Sequence, residues 1–283
     1  MRTELDIRLA VTEANEVFRR FPLQTCLPLV IVGLSLDWAL IPLHRLQDPH
    51  RVVLPLITVL AIGVAGYWAS CAADAGTSAM YLRARQGGTP TLPQIGQTVC
   101  LRRFNSVTLG LLVRYMGWVV LWAVGAGLAY AALQGIRMST HRHVLAENDR
   151  WLGLVVELVI VPYVAYRYSF VFQQFVIQGG TSAGFLDECV QQAKRVWKIA
   201  LLVTIVDCYV FALVGGAQRL FTRRPDLSLW AEIVLVSVPT IVSYVFSAWM
   251  VLVRTGLALQ LGRVGQDEAS GDEPMITGEP SPA

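Results

Sequence analysis

An all-α fold that crosses a membrane six times, built as three copies of one unit, is predicted by three observations. Hydrophobic residues make up 54% of the 283-residue chain and charged residues only 15%, whereas a soluble domain carries about 25% charged residues to cover its surface. Six stretches are each long and apolar enough for a span, which needs roughly 20 such residues. The tetrapeptide QGGT occurs twice, at Gln86–Thr89 and at Gln178–Thr181, each time after a long apolar run.

The N-terminal segment "MRTELDIRLAVTEANEVFRRF" spreads acids and bases through the place where a secretory signal would have its apolar core, so it is not read as one. Ile7, Val11, Ala14, Phe18 and Phe21 recur at three- or four-residue spacing, which predicts an amphipathic helix. The spans follow at about 23–44, 52–82, 106–134, 151–178, 199–218 and 229–261. Trp151 and Trp230 open the fourth and sixth, and Trp197 precedes the fifth, as expected of interface aromatics. A second amphipathic helix is predicted before span three, with Thr91 as N-cap, Pro93 in the first turn and Leu92, Ile95 and Val99 as its stripe. A third precedes span five, capped by Thr181 or Ser182, with Phe185, Cys189, Ala193 and Val196 on one face.

All three amphipathic segments end in bases and an aromatic: "FRRF", "LRRF" and "KRVW". Gln86 and Gln178 are 92 positions apart and Phe104 and Trp197 are 93 apart, while Phe21 and Phe104 are 83 apart. QGGT therefore marks where one unit ends: glycine releases the long helix and Thr starts the next. The units are about 1–88, 89–180 and 181–262, a membrane domain over 1–262, and the acidic tail 263–283 is expected to be disordered.

The segment "EVFRRFPL", the Gly-Gly turn followed by an amphipathic basic and aromatic segment, and the six spans resemble the bacterial integral-membrane family of the glycerophosphodiester phosphodiesterase membrane domain and the YciC-like proteins. The likeness runs to about residue 262. It implies a membrane domain without chemistry of its own, since the chain has no room for the soluble phosphodiesterase domain that some relatives carry.

Two spans separate each interfacial helix from the next, so all three share one side. That side carries twelve Lys and Arg, from Arg2 to Arg263, against eight in the opposite loops, from Arg45 to Arg224. The basic bias places both termini in the cytoplasm and the protein in the cell inner membrane. The net charge of +3, with bases at segment ends rather than in a stripe, gives no reason to expect nucleic acid. Expected partners are membrane lipids and either a protein partner or a second copy.

Three arginines lie inside spans, Arg114, Arg167 and Arg254, with the acids Asp37, Asp74, Glu157 and Asp207. Each ionisable group at bilayer depth costs roughly 2.5–3.5 kcal/mol on insertion scales, so each should face protein or water. Arg114 follows Phe104 by ten residues and Asp207 follows Trp197 by ten; Asp74 precedes Gln86 by twelve and Arg167 precedes Gln178 by eleven. Asp74, Arg114, Arg167 and Asp207 thus lie at one level on four helices, as an intramembrane polar cluster. Equal depth pairs Arg114 with Asp207 and Asp74 with Arg167. Such pairs either fix helix register or line a hydrated site for a polar or zwitterionic ligand such as a lipid head group, and both readings stay open. From Ala61 to Ala79, fourteen of nineteen residues are Ala, Gly, Ser, Thr or Cys, which predicts a closely packed inner helix.

No catalytic, cofactor-binding or metal site is expected. His141 and His143 stand two apart with no nearby Cys. Cys26, Cys71, Cys100, Cys189 and Cys208 form no C-x-x-C pair and read as apolar fillers; acylation is chemically open to Cys26, Cys100 and Cys189 near the interface. The sequence lacks the spacing of a Ser-His-Asp set, a phosphate loop or an H-E-x-x-H helix. The expected function is non-enzymatic, in envelope or lipid homeostasis through lipid or protein contacts; the alternative is a small transporter or channel using the charged midplane cluster.

Overall fold

The computed structural model describes residues 5–45, 53–99, 102–118, 121, 161–179, 184–222 and 228–271, and among these every regular element is a helix. Helix α1 (Ile7–Arg20) starts where the Asp6 carboxylate accepts the Leu9 N–H at 3.0 Å, and Arg19 and Arg20 sit in its last turn, where bases suit the helix dipole. It stops at Phe21, and Pro22 opens α2 (Pro22–Arg45) at a position that tolerates its missing N–H. Helix α3 (Val53–Arg85) leads into Gly87, whose φ of 81° is open to glycine at no cost. After α4 (Pro93–Val99), α5 (102–118) and α6 (Val161–Arg167), helix α7 (Val171–Gln178) ends at Gly179, with φ 80° and its N–H donated to the Phe175 carbonyl at 2.8 Å. The first glycine of each QGGT therefore has the same left-handed backbone. Helix α8 (Phe185–Arg195) has Asp187 and Glu188 in its first turn and Lys194 and Arg195 in its last; α9 (Trp197–Thr222) and α10 (Leu229–Gly271) complete the chain.

Two boundaries differ from expectation. Helix α10 runs on to Gly271, past the expected end of the membrane domain at 262, because nothing between Arg263 and Ser270 forces a stop. The expected fourth span is broken: α6 ends at Arg167 and α7 begins at Val171. Between them Tyr168, Ser169 and Val171 donate N–H bonds three residues back, to Ala165, Tyr166 and Tyr168, which winds the chain too tightly for an α-helix to pass through. The sequence there, "YRYSFVF", contains neither Pro nor Gly. The second half of span three, the first half of span four, His141, His143, Cys100, Glu157, the Thr181/Ser182 cap and residues 272–283 lie outside the described residues.

Small residues let the helices approach. At Gly33 an added Cβ would lie 2.2 Å from the Tyr244 ring, which binds α2 closely to α10; at Gly76 it would lie 2.4 Å from Ile95, which seats α4 on α3. Helix α10 is the hub. It packs on α1, α2, α3, α7 and α9, and its residues Ala248, Met250, Val251, Leu252, Val253, Leu257 and Ala258 are buried. Helix α1 turns Ala10, Ala14 and Val17 onto α10, and Trp249 Nε1 donates to Asn15 Oδ1 at 2.8 Å across that contact. Tyr81 Oη and Arg85 Nη2 of α3 both donate to Glu13, at 3.0 and 2.7 Å, which ties α1 to α3 as well.

Polarity is distributed inside out. Thr25, Thr77, Ser78, Thr108, Thr204, Thr240 and Thr255 are buried, while Trp230, Val234, Val238 and Val242 line an exposed face of α10. Several of the buried hydroxyls avoid an unpaired donor by bonding one turn back: Thr204 to the Ala200 carbonyl, Thr240 to Val236 and Thr255 to Val251. Two helices are long and apolar enough to cross a membrane, over Pro22–Ala39 and Ile233–Gly262.

Candidate functional site

A cavity of about 220 Å³ opens where α3, α5, the α6–α7 break, α9 and α10 converge. Helix α3 contributes Tyr67, Ser70, Cys71 and Asp74, and the small residues around them are what admit so many neighbours. Helix α5 adds Leu111 and Tyr115, and the break adds Tyr168, Ser169, Phe172 and Gln173. Thr204, Asp207 and Cys208 come from α9 and Arg254 from α10. The turn between α6 and α7 lines this cavity through Tyr168 and Ser169.

Of the four residues singled out by depth, the structure brings two together. Asp74 and Asp207 face the same cavity from different helices. Their basic neighbour is Arg254: its Nη2 donates to Asp207 Oδ2 at 2.5 Å, and both side chains are nearly closed off, 12% and 14% exposed. Asp74 lies within electrostatic reach of both. Its carboxylate has no hydrogen-bond donor among the described residues, and the Asp207 carboxylate has a second, long contact with Ser247 at 3.5 Å.

The expected pairs Arg114–Asp207 and Asp74–Arg167 are not formed. Arg114 reaches out of the bundle, and its Nη1 donates to Asp187 Oδ1 of α8 at 2.9 Å. Arg167 lies with its Cζ 5.5 Å from the Trp118 ring centre and 5.3 Å from that of Tyr163, in cation–π contact with both. Counting residues fixes the height of a Cα but not the direction in which a side chain leaves the helix. Arginine is long enough to carry its charge away from that height, whereas aspartate must stay where its backbone puts it.

Arg254 was absent from the expected cluster. The sequence signal for it was its charge inside an expected span, but no QGGT follows it to set its depth against the other three. Gln173 and Gln174, at the start of α7, also went unnoticed. Gln173 is 2% exposed and lines the cavity. Gln174 is fully buried with neither amide atom paired, and the Arg254 Nε is likewise unpaired. A buried polar group left unsatisfied costs about 1–3 kcal/mol, so Gln174 and the Arg254 Nε are each costly to the fold.

The remaining candidates resolve simply. Asp37 accepts a hydrogen bond from Thr240 Oγ1, joining α2 to α10. Cys189 is 2% exposed, and burial, then the neighbouring Glu188 charge, pushes its thiol up to about 12, so it packs rather than reacts. Cys26 and Cys71 are buried as well. Among the described residues no group of three His, Cys, Asp or Glu side chains is placed to hold a metal ion.

Compared with known protein families, curated proteins and solved structures, the chain matches none.

Proposed function

We propose that this chain is a six-span protein of the cell inner membrane that acts without catalysis, in envelope or lipid homeostasis, by holding a polar ligand in the Asp74–Asp207–Arg254 cavity. The observation that carries the proposal is the placement of that ion triad: two acids and one base, on three helices, around a partly open cavity within a bundle that exposes apolar side chains. Ionisable groups inside a membrane face the bundle interior or a water-filled cavity, and each is by default a functional-site hypothesis with its partner named. Three interfacial helices at the cytoplasmic surface complete the topology. In support, α1 and α8 each bury one apolar stripe and expose their charges, and each passes into the next helix across a single residue, Phe21 or Val196. Membership of the YciC-like family is part of the same proposal.

A second reading, a small transporter or channel, is favoured by one feature. Membrane transporters place ligands at discontinuous helices, and the α6–α7 break borders this cavity. Native mass spectrometry of the protein purified in mild detergent tests the site: a retained ligand that Asp74→Asn or Gln173→Leu releases supports it. A ligand-free spectrum from every detergent, with flux absent in vesicles, would remove both readings. Topology has its own check. A membrane-impermeant thiol reagent applied from the periplasm to a cysteine-free protein should label Ser139→Cys and not Ser281→Cys.

A further inference from the structure

Granted that the cavity is a ligand site, we propose that the group it recognises is a small organic ammonium ion, bound between the Asp74 carboxylate and the rings of Tyr67, Tyr115 and Tyr168. Charge is the first reason. Arg254 is committed to Asp207 at 2.5 Å, so of the two carboxylates that line the cavity Asp74 is left with no donor of its own among the described residues. With both acids ionised the triad is one negative charge in excess, and the complementary ligand is a cation.

The walls decide what kind of cation. Tyr67 meets Tyr115 edge to face at 6.4 Å between ring centres, and Tyr115 meets Tyr168 at 5.4 Å, so three tyrosines line the cavity in one continuous series. Ring faces attract a weakly hydrated organic cation, and aromatic enclosures of this type recognise quaternary ammonium groups. A hard inorganic cation needs several oxygen ligands in place of its water; Ser70, Ser169 and Thr204 also line the cavity, so the sodium arm of the titration below is the control for that alternative. Gln173, nearly fully buried on the cavity wall, supplies a carbonyl oxygen able to accept a hydrogen bond from an ammonium N–H. Size sets the limit: about 220 Å³ lies below the roughly 300 Å³ at which pockets for drug-sized molecules begin. An ammonium head group fits, and the rest of a lipid would have to lie outside.

The test uses the full chain in mild detergent, titrated calorimetrically with tetramethylammonium chloride and ethylammonium chloride against sodium chloride and sodium acetate at matched ionic strength. Saturable binding of an ammonium salt alone is expected. Asp74→Asn should weaken it by about tenfold or more through loss of a charged partner, and Tyr115→Leu by roughly two- to thirtyfold through loss of a ring face. Should Asp74→Asn fail to fold, Tyr115→Leu and Asp74→Glu carry the test, with Asp74→Glu retaining binding. A second arm separates the sources. If nanodiscs of phosphatidylethanolamine or phosphatidylcholine, but not phosphatidylglycerol, block tetramethylammonium, the head group of a lipid is the ligand; if none blocks it, a free cation is. Binding unchanged in both Asp74→Asn and Tyr115→Leu, or preference for sodium or acetate, overturns the ammonium assignment. If an anionic or neutral molecule is then found in the cavity by native mass spectrometry, the ligand site stands and only its chemistry was wrong. If nothing binds, both fall.

Discussion

Arg254 of α10 and Asp207 of α9, 47 residues apart in sequence, meet at 2.5 Å inside the bundle, and no more than 14% of either side chain is exposed. Removing one partner of a buried pair typically costs about 3–5 kcal/mol, because the other charge is left uncompensated. Here the cost of Asp207→Asn should fall below that range, since Asp74 remains close enough to Arg254 to take over part of the pairing. Arg254→Gln is the harsher change: it leaves two carboxylates facing one cavity with no base. Thermal unfolding in mild detergent should therefore rank Arg254→Gln below Asp207→Asn, with the Asp207→Asn/Arg254→Gln double variant recovering part of the loss. Adding Arg114→Gln to Asp207→Asn should recover nothing, because Arg114 belongs to Asp187. Recovery by Arg114→Gln would mean that equal depth, and not the contact seen here, sets the pairing.

Helix α1 is held against α10 by a close crossing. A Cβ placed at Gly256 would lie 3.1 Å from Tyr81 Oη and 3.3 Å from the Ala10 Cβ. Gly256→Ala requires a shift of a few tenths of an ångström, offset by the gain in helix propensity over Gly of about 1 kcal/mol. Gly256→Leu has no such escape, and overpacking of this kind costs typically 1–3 kcal/mol. The expected outcome is near-native stability for the alanine variant. For the leucine variant, limited proteolysis should release α1 well before the bundle unfolds. Equal resistance of the two would show that α1 is not clamped at this point.

The two left-handed glycines offer a cleaner comparison. Nothing lies within 4 Å of a Cβ at Gly87 or at Gly179, so a substitution there meets only the backbone penalty. A left-handed backbone costs a residue with a Cβ about 1–2 kcal/mol. Gly87→Ala and Gly179→Ala should destabilise by the same amount within error in chemical unfolding. Gly88→Ala differs in kind, because its Cβ would lie 2.8 Å from the flexible Arg83 side chain and its φ is not positive. Unequal losses at Gly87 and Gly179 would break the equivalence of the two turns.

Much of the helical layout was legible because its signals are local. QGGT located both left-handed stops, and the small residues from Ala61 to Ala79 located the helix that neighbours crowd, where Cys71, Ala72, Ala73, Ala75, Thr77 and Ser78 are buried. Half of the site was legible for the same reason, since Asp74 and Asp207 are too short to leave the height their backbones set. The rest depends on three-dimensional choices that residue counting does not contain. Arg114 had a carboxylate within reach on α8, and Arg167 had two rings, Trp118 and Tyr163, so neither turned toward the acids. The break before α7 carries no Pro or Gly, and only packing imposes it: Phe170 and Val171 are driven into the interior at 1% and 0% exposure, and Gln173 follows them onto the cavity wall.

Arg114 and Asp187 provide a pH-dependent contact at the edge of the bundle. The Arg114 hydrogen bond holds the Asp187 carboxyl below the usual carboxylate range. A carboxyl whose folded value is depressed adds stability that is fully present above its unfolded value, about 3.9 for Asp, and that disappears as pH falls through the lower folded value. The contribution is small, because Asp187 is 66% exposed and Arg114 34% exposed, and surface pairs are worth about 1 kcal/mol or less. Asp187→Asn should therefore lower the Tm slightly at pH 6, and the gap to the parent protein should close as the acid limb is descended below pH about 4. High salt should narrow the same gap at pH 6 through screening, while leaving the penalty of Asp207→Asn in the enclosed pair largely intact. A gap that widens toward acid, or that salt does not touch, would show that Asp187 acts through something other than its charge on Arg114.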